Sequence, residues 1–196
     1  METIKVTQNA SDKFAPDSVA IRAELFAEHK KSDEAARLLR EKTDAVLRAL
    51  AAAGVQDGEA VTGGAGVSAV RRDGKAAYHA HADIKLTLSV ADERIEGIAD
   101  ALEKNGAAWR QSYLLTDASP RKALIARAVA AAKEDAAAIA AAAGVRLGEL
   151  AGVEYAASFG GGVRMMRAAA VNDAVTARPE DVELSETVTC EWRIQK

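Results

Sequence analysis

The stretch Tyr78-His79-Ala80-His81-Ala82-Asp83-Ile84-Lys85-Leu86-Thr87-Leu88-Ser89 decides the fold class. Its apolar residues Tyr78, Ala80, Ala82, Ile84, Leu86 and Leu88 alternate strictly with polar ones. That is the period of a strand with one face on a core and the other on water or a polar contact. Upstream, the run 60–72 leads into Asp73-Gly74, a dipeptide suited to a hairpin turn, so it is expected to pair with this strand. The C-terminal stretch repeats the pattern, with Val182, Leu184, Val188, Cys190, Trp192 and Ile194 on one face. Cys190 is thereby placed inward as a small hydrophobe.

Two more alternating runs open the chain, Thr3 to Gln8 and Val19 to Phe26, with Phe14-Ala15-Pro16-Asp17 as the turn between them. They are expected to pair with each other. Three helical patterns follow. The first starts at Ser32 as N-cap, carries Ala35, Leu39, Val46, Leu50 and Ala53, and ends at Gly54. The second is capped by Asp92, carries Ile95, Ile98, Ala99 and Leu102, and closes at Asn105-Gly106. The third opens at Ser119-Pro120 and runs through Ile125, Val129, Ala132, Ala136, Ile139 and Ala143 to Gly144. Strands over 108–115 and 148–157 complete the order. Runs of adjacent strands and helices of uneven length predict an α+β fold. The expected arrangement is one antiparallel sheet with three helices packed mainly on one face, in a single domain over 1–196.

The chain has 196 residues, 49% of them hydrophobic, enough for a substantial core. A formal charge of −3 gives no footprint for a phosphate backbone, so nucleic acid is not an expected partner. No run approaches the roughly 20 apolar residues that span a bilayer. Cys190 is the one cysteine, which excludes an intrachain disulfide. The opening Met1-Glu2-Thr3-Ile4-Lys5-Val6 lacks a basic segment followed by an apolar run. As given, the chain is expected in the cytoplasm; with a leader removed, the periplasm or cell envelope becomes the expected place.

His79, His81 and Asp83 put three potential metal ligands on one strand face. The same residues also serve as the polar positions of an amphipathic strand, continued by Lys85 and Thr87. A tetrahedral site needs further ligands, and His29 has no fixed relation to this face. No metal or cofactor is therefore assigned. Gly63-Gly64-Ala65-Gly66 and Gly160-Gly161-Gly162 lack the Lys-Ser/Thr of a phosphate-binding loop and read as flexible loop. No Gly-x-Ser-x-Gly occurs, and Glu134-Asp135 reads as solvated helix charge. The chain is read as a non-enzyme. The segment 158–177 has no convincing period; within it Phe159, Met165, Met166 and Arg167 form the expected contact surface, the methionines adapting to a partner.

Several stretches together resemble the SIMPL-domain family, mostly bacterial proteins of poorly defined biochemical function. Ala15-Pro16-Asp17-Ser18-Val19-Ala20-Ile21 is similar to the family's Pro-Asp turn and second strand. Asp33-Glu34-Ala35 and Leu50-Ala51-Ala52-Ala53-Gly54-Val55 resemble the ends of its first helix, and Tyr78-His79-Ala80 the start of its long strand. Ala136, Ile139, Ala140, Gly144, Leu147, Gly148, Leu150 and Val153 are spaced as in its long helix and the turn after it. The chain departs at Thr7-Gln8-Asn9-Ala10, where the family has glycines, and at Pro179-Glu180, where it has Pro-Gly. The resemblance implies a SIMPL-like domain, an envelope setting in many relatives, a link to stress tolerance or signalling in some, and homo-oligomers among family members.

The expected function is a non-enzymatic interaction or assembly protein, acting through homo-oligomer or other protein contacts. Exposed edges are expected of the long strands Tyr78 to Ser89 and Val182 to Ile194. The alternative is a metal- or small-ligand-binding protein built on the His79/His81/Asp83 face.

Overall fold

The structure, a computed structural model, describes residues 2–72, 75–156 and 181–195. Their elements run β1 (Thr3–Phe14), β2 (Ser18–His29), α1 (Ser32–Ala52), β3 (Val61–Arg72), β4 (Lys75–Ser89), α2 (Ile95–Lys104), β5 (Ala108–Leu114), α3 (Ser119–Ala142), β6 (Arg146–Ala156) and β7 (Val182–Gln195). The fold is α+β, as the alternation and helix periods predict. The strands form two sheets rather than one, in the orders β3-β4-β2-β5 and β1-β7-β6. The chain forms two compact units, one of residues 17–113 and the other, among the described residues, of 2–16, 114–156 and 181–195.

The expected pairing of the first two strands is not made. β1 is longer than its apolar run and lies antiparallel to β7, with Val6 opposite Cys190, while β2 lies antiparallel to β4, with Ile21 opposite Leu86. The turn at Pro16 sets where the chain bends, but the buried faces decide which strand each one meets. β4 and β7 are consequently interior strands, and among the described residues the edges are β3 and β5 in one sheet and β1 and β6 in the other.

In the unit of residues 17–113, Val19, Ile21, Ala23 and Leu25 of β2 and Ala80 to Leu88 of β4 turn their apolar face to Leu39, Val46 and Leu50 of α1 and to Ile98 and Leu102 of α2. Burying these side chains on one face leaves the other face of the sheet to its polar residues. Helix α1 stops because Gly54 takes φ +89°, letting the Val55 amide donate to the Leu50 carbonyl at 3.0 Å. Ser32, Asp92 and Ser119 are not N-caps: those positions belong to Lys31, Arg94 and Ala118, without capping side-chain hydrogen bonds. Asp92 instead holds Arg94, whose guanidinium also donates to the Gly54 carbonyl at 2.7 Å and to Glu59 at 2.8 and 3.0 Å. These bonds pull both carboxyls below their ordinary range.

In the other unit, α3 packs on β1 and β7, and Val6, Val182, Leu184, Val188, buried Cys190 and Trp192 form the sheet side of that core. Burial pushes the Cys190 thiol up, so it is an inert packing residue. The buried helix stripe is Leu124, Ala128, Ala132, Ala136 and Ala140. This corrects the expected stripe at its ends: Ile139 is 48% exposed, Ala143 is the exposed C-cap, and Ile125 and Val129 are half-buried at the margin. Small side chains take the centre because they let the helix axis approach the sheet closely.

Candidate functional site

The polar face of the β3-β4-β2-β5 sheet carries the histidine strand. Register places Arg22 opposite Lys85, Glu24 opposite Asp83, Phe26 opposite His81 and Glu28 opposite His79, all on the side away from α1 and α2. The face has an aromatic end and a charged end. At the aromatic end, the His79 ring stacks on Phe26 with centroids 5.2 Å apart, and His81 lies 6.5 Å from His79. At the charged end, Asp83 sits 3.5 Å from the Arg22 guanidinium and 3.6 Å from the Lys85 ammonium, and Arg110 of β5 donates to Glu24 at 2.9 Å.

His79, His81 and Asp83 thus share a face, as the alternation predicts, but do different things. The imidazoles stack, while the carboxylate is drawn to two cations. Among the described residues no group of three or more His, Cys, Asp or Glu is placed to hold a metal ion.

The Gly63-Gly64-Ala65-Gly66 run is not a loop. It lies inside β3 at a bulge, where the register against β4 shifts between Gly63 and Gly66. Gly64 has φ +60°, and a Cβ there would overlap the Asp83 carboxylate; one on Gly66 would stand 2.9 Å from the His81 ring. The glycines therefore leave room for side chains of the neighbouring strand.

The second surface is edge strand β6. Leu150 pairs with Trp192, Val153 with Cys190 and Tyr155 with Val188, so all three point to the side of the sheet that α3 covers. Unlike their partners they are 50%, 49% and 41% exposed. Beside them lies a group that the periodicity passed over. Glu186, on the buried face of β7, is 1% exposed, takes a 2.7 Å hydrogen bond from the Tyr155 hydroxyl and pairs with Arg121 of α3 at 3.0 Å. The detectable signal was one acidic residue standing at an apolar position of an alternating strand. That bond, reinforced by burial and by the negative charge, pushes the Tyr155 phenol up, with Arg121 opposing.

The polar side of the same sheet is tied by Thr7 to Thr189 at 2.8 Å and by Asn9 to Ser185 and Thr187 at 2.8 and 2.9 Å. Asp135, read as solvated charge, is exposed but accepts a hydrogen bond from Gln8. Phe159, Met165, Met166, Arg167 and the Gly160-Gly161-Gly162 run lie outside the described residues. No helix among the described residues is long and apolar enough to cross a membrane.

No curated protein matches the chain. A family model does: SIMPL, described as a protein of unknown function (DUF541), matches residues 4–192, which takes in both compact units, and the chain belongs to that family.

Proposed function

We propose that this protein is a non-enzymatic assembly protein that associates with further copies of itself through the exposed apolar strip of β6. The observation that carries this reading is the exposure of Leu150, Val153 and Tyr155 together on an edge strand, opposite the buried β7 residues Trp192, Cys190 and Val188. An edge strand offers unpaired backbone groups, and adjoining large apolar side chains add the desolvation that holds two surfaces together. The Tyr155 ring is held by Glu186 at one end, so it loses little freedom on docking and acts as a preorganised aromatic anchor. The pairing of β6 with β7 is irregular between Leu147 and Leu150 and between Leu150 and Gly152, which bends the strand, so the apolar side chains as well as the free backbone edge enter the proposed contact.

Size exclusion with light scattering, at several concentrations near neutral pH, tests this. The wild-type mass is expected to exceed one chain, and Val153→Glu to return it to one chain with an unchanged circular dichroism spectrum. A wild-type mass of one chain throughout sinks the reading.

A further inference from the structure

The charged end of the β3-β4-β2-β5 sheet carries a feature that assembly through β6 does not use. A cleft of about 230 Å³ opens on the polar face, lined by Arg22, Lys85 and Arg110 together with Thr87 and Ser112. Three cations converge there. Two carboxylates stand nearby, but Glu24 is engaged by Arg110, and Asp83 is itself buried beneath the face with 8% exposure.

The cations are incompletely used. Arg22 Nε is buried without a hydrogen-bond partner among the described residues, as is Asp83 Oδ2. The Arg22–Asp83 and Lys85–Asp83 separations of 3.5 and 3.6 Å are ion-pair distances too long for strong hydrogen bonds. The carboxylate therefore offsets the charge of Arg22 and Lys85 while leaving donors available. Arg22 Nε itself is covered, but the Arg22 and Lys85 side chains are 43% and 57% exposed, so an anion arriving from outside meets their charge at the cleft.

We infer that this cleft binds a small anionic ligand through a carboxylate or phosphate group, with Arg22 and Lys85 as its principal donors and Arg110 completing the positive rim. An arginine fork suits two oxygens of one planar or tetrahedral anion, and Lys85 adds a point charge. The hydroxyls of Thr87 and Ser112 supply neutral polar contacts at the same wall. The volume lies below the roughly 300–1,000 Å³ typical of pockets for drug-sized molecules, which limits the ligand to a few heavy atoms beyond the anionic group. Neither a metal nor assembly through β6 enters this inference.

Titration of the full chain with inorganic phosphate and, separately, with succinate tests it, followed by amide chemical shifts and calorimetry. Saturable binding is expected for at least one, with shifts clustered on β2, β4 and β5. Phosphate alone binding assigns a phosphoryl ligand, and succinate alone a carboxylate. Arg22→Gln and Lys85→Gln should each weaken binding by about tenfold or more, the usual worth of a charge-assisted hydrogen bond. Lys133→Gln, on the exposed side of α3, should leave it unchanged. Lys85 is largely exposed, so its variant folds even if Arg22→Gln does not. Absence of binding by both probes overturns the site, as does binding that ignores Lys85→Gln or vanishes at about 0.15 M salt, where diffuse surface attraction is screened.

Discussion

The Tyr155 hydroxyl donates a 2.7 Å hydrogen bond to Glu186, a carboxylate that sits 1% exposed in the line of apolar residues facing α3. Arg121 supplies the opposite charge from the first turn of the helix, so a buried acid, an edge-strand phenol and a helix cation are joined. Such a group tolerates conservative change poorly because each member satisfies another.

Glu186→Ala should lower stability by about 1–3 kcal/mol, through lost hydrogen bonds and the space left behind. Glu186→Gln should cost less, since its amide oxygen still accepts the Tyr155 proton. Tyr155 adds a pH signature. Its phenol is raised in the folded protein, so its contribution is complete below the ordinary phenol range and is lost as pH rises through the raised value. The stability difference between wild type and Tyr155→Phe should therefore hold constant through neutral pH and shrink in strong alkali. Urea melts across that range measure it, and a difference that grows with alkali contradicts the arrangement.

Gly64→Ala should be strongly destabilising, by about 2 kcal/mol or more, because the left-handed backbone and the overlap with Asp83 act together. Gly66→Ala should be milder: its φ is ordinary, and the exposed His81 ring it meets can swing away. Combining Gly64→Ala with Asp83→Ser should recover part of the loss, a coupling of about 0.5–3 kcal/mol for residues in contact. Strict additivity in thermal melts would disconnect the bulge from the carboxylate.

Ala136→Leu places a larger side chain at a fully buried point of α3 against β1 and β7. Overpacking there should cost about 1–3 kcal/mol in a denaturant melt. Ile139→Ala, three residues on and half exposed, should be close to neutral. A neutral Ala136→Leu would mean that the helix does not press on the sheet at that residue.

Much of this protein is determined by its sequence alone. Strict alternation from Tyr78 to Ser89 and from Val182 to Ile194 specifies strands whose face is unambiguous, because side-chain direction has period two and needs no partner to define it. The three helices follow from their apolar periods and from glycines at their ends for the same local reason. The shared face of His79, His81 and Asp83 is legible in that way too. What those side chains meet was settled only in three dimensions. Lys85 lies two residues from Asp83 on the same strand face, but Arg22 reaches Asp83 only because β2 and β4 pair in one register, and Arg110 comes to the same cleft from β5, far along the chain. β1 chose β7 over β2, dividing the strands between two sheets, since pairing depends on burial summed over whole faces rather than on the turn between neighbours. Glu186 stands as an acid at an apolar position of its strand; α3 brings Arg121 to it and β6 brings Tyr155, and only those long-range contacts make a buried carboxylate stable.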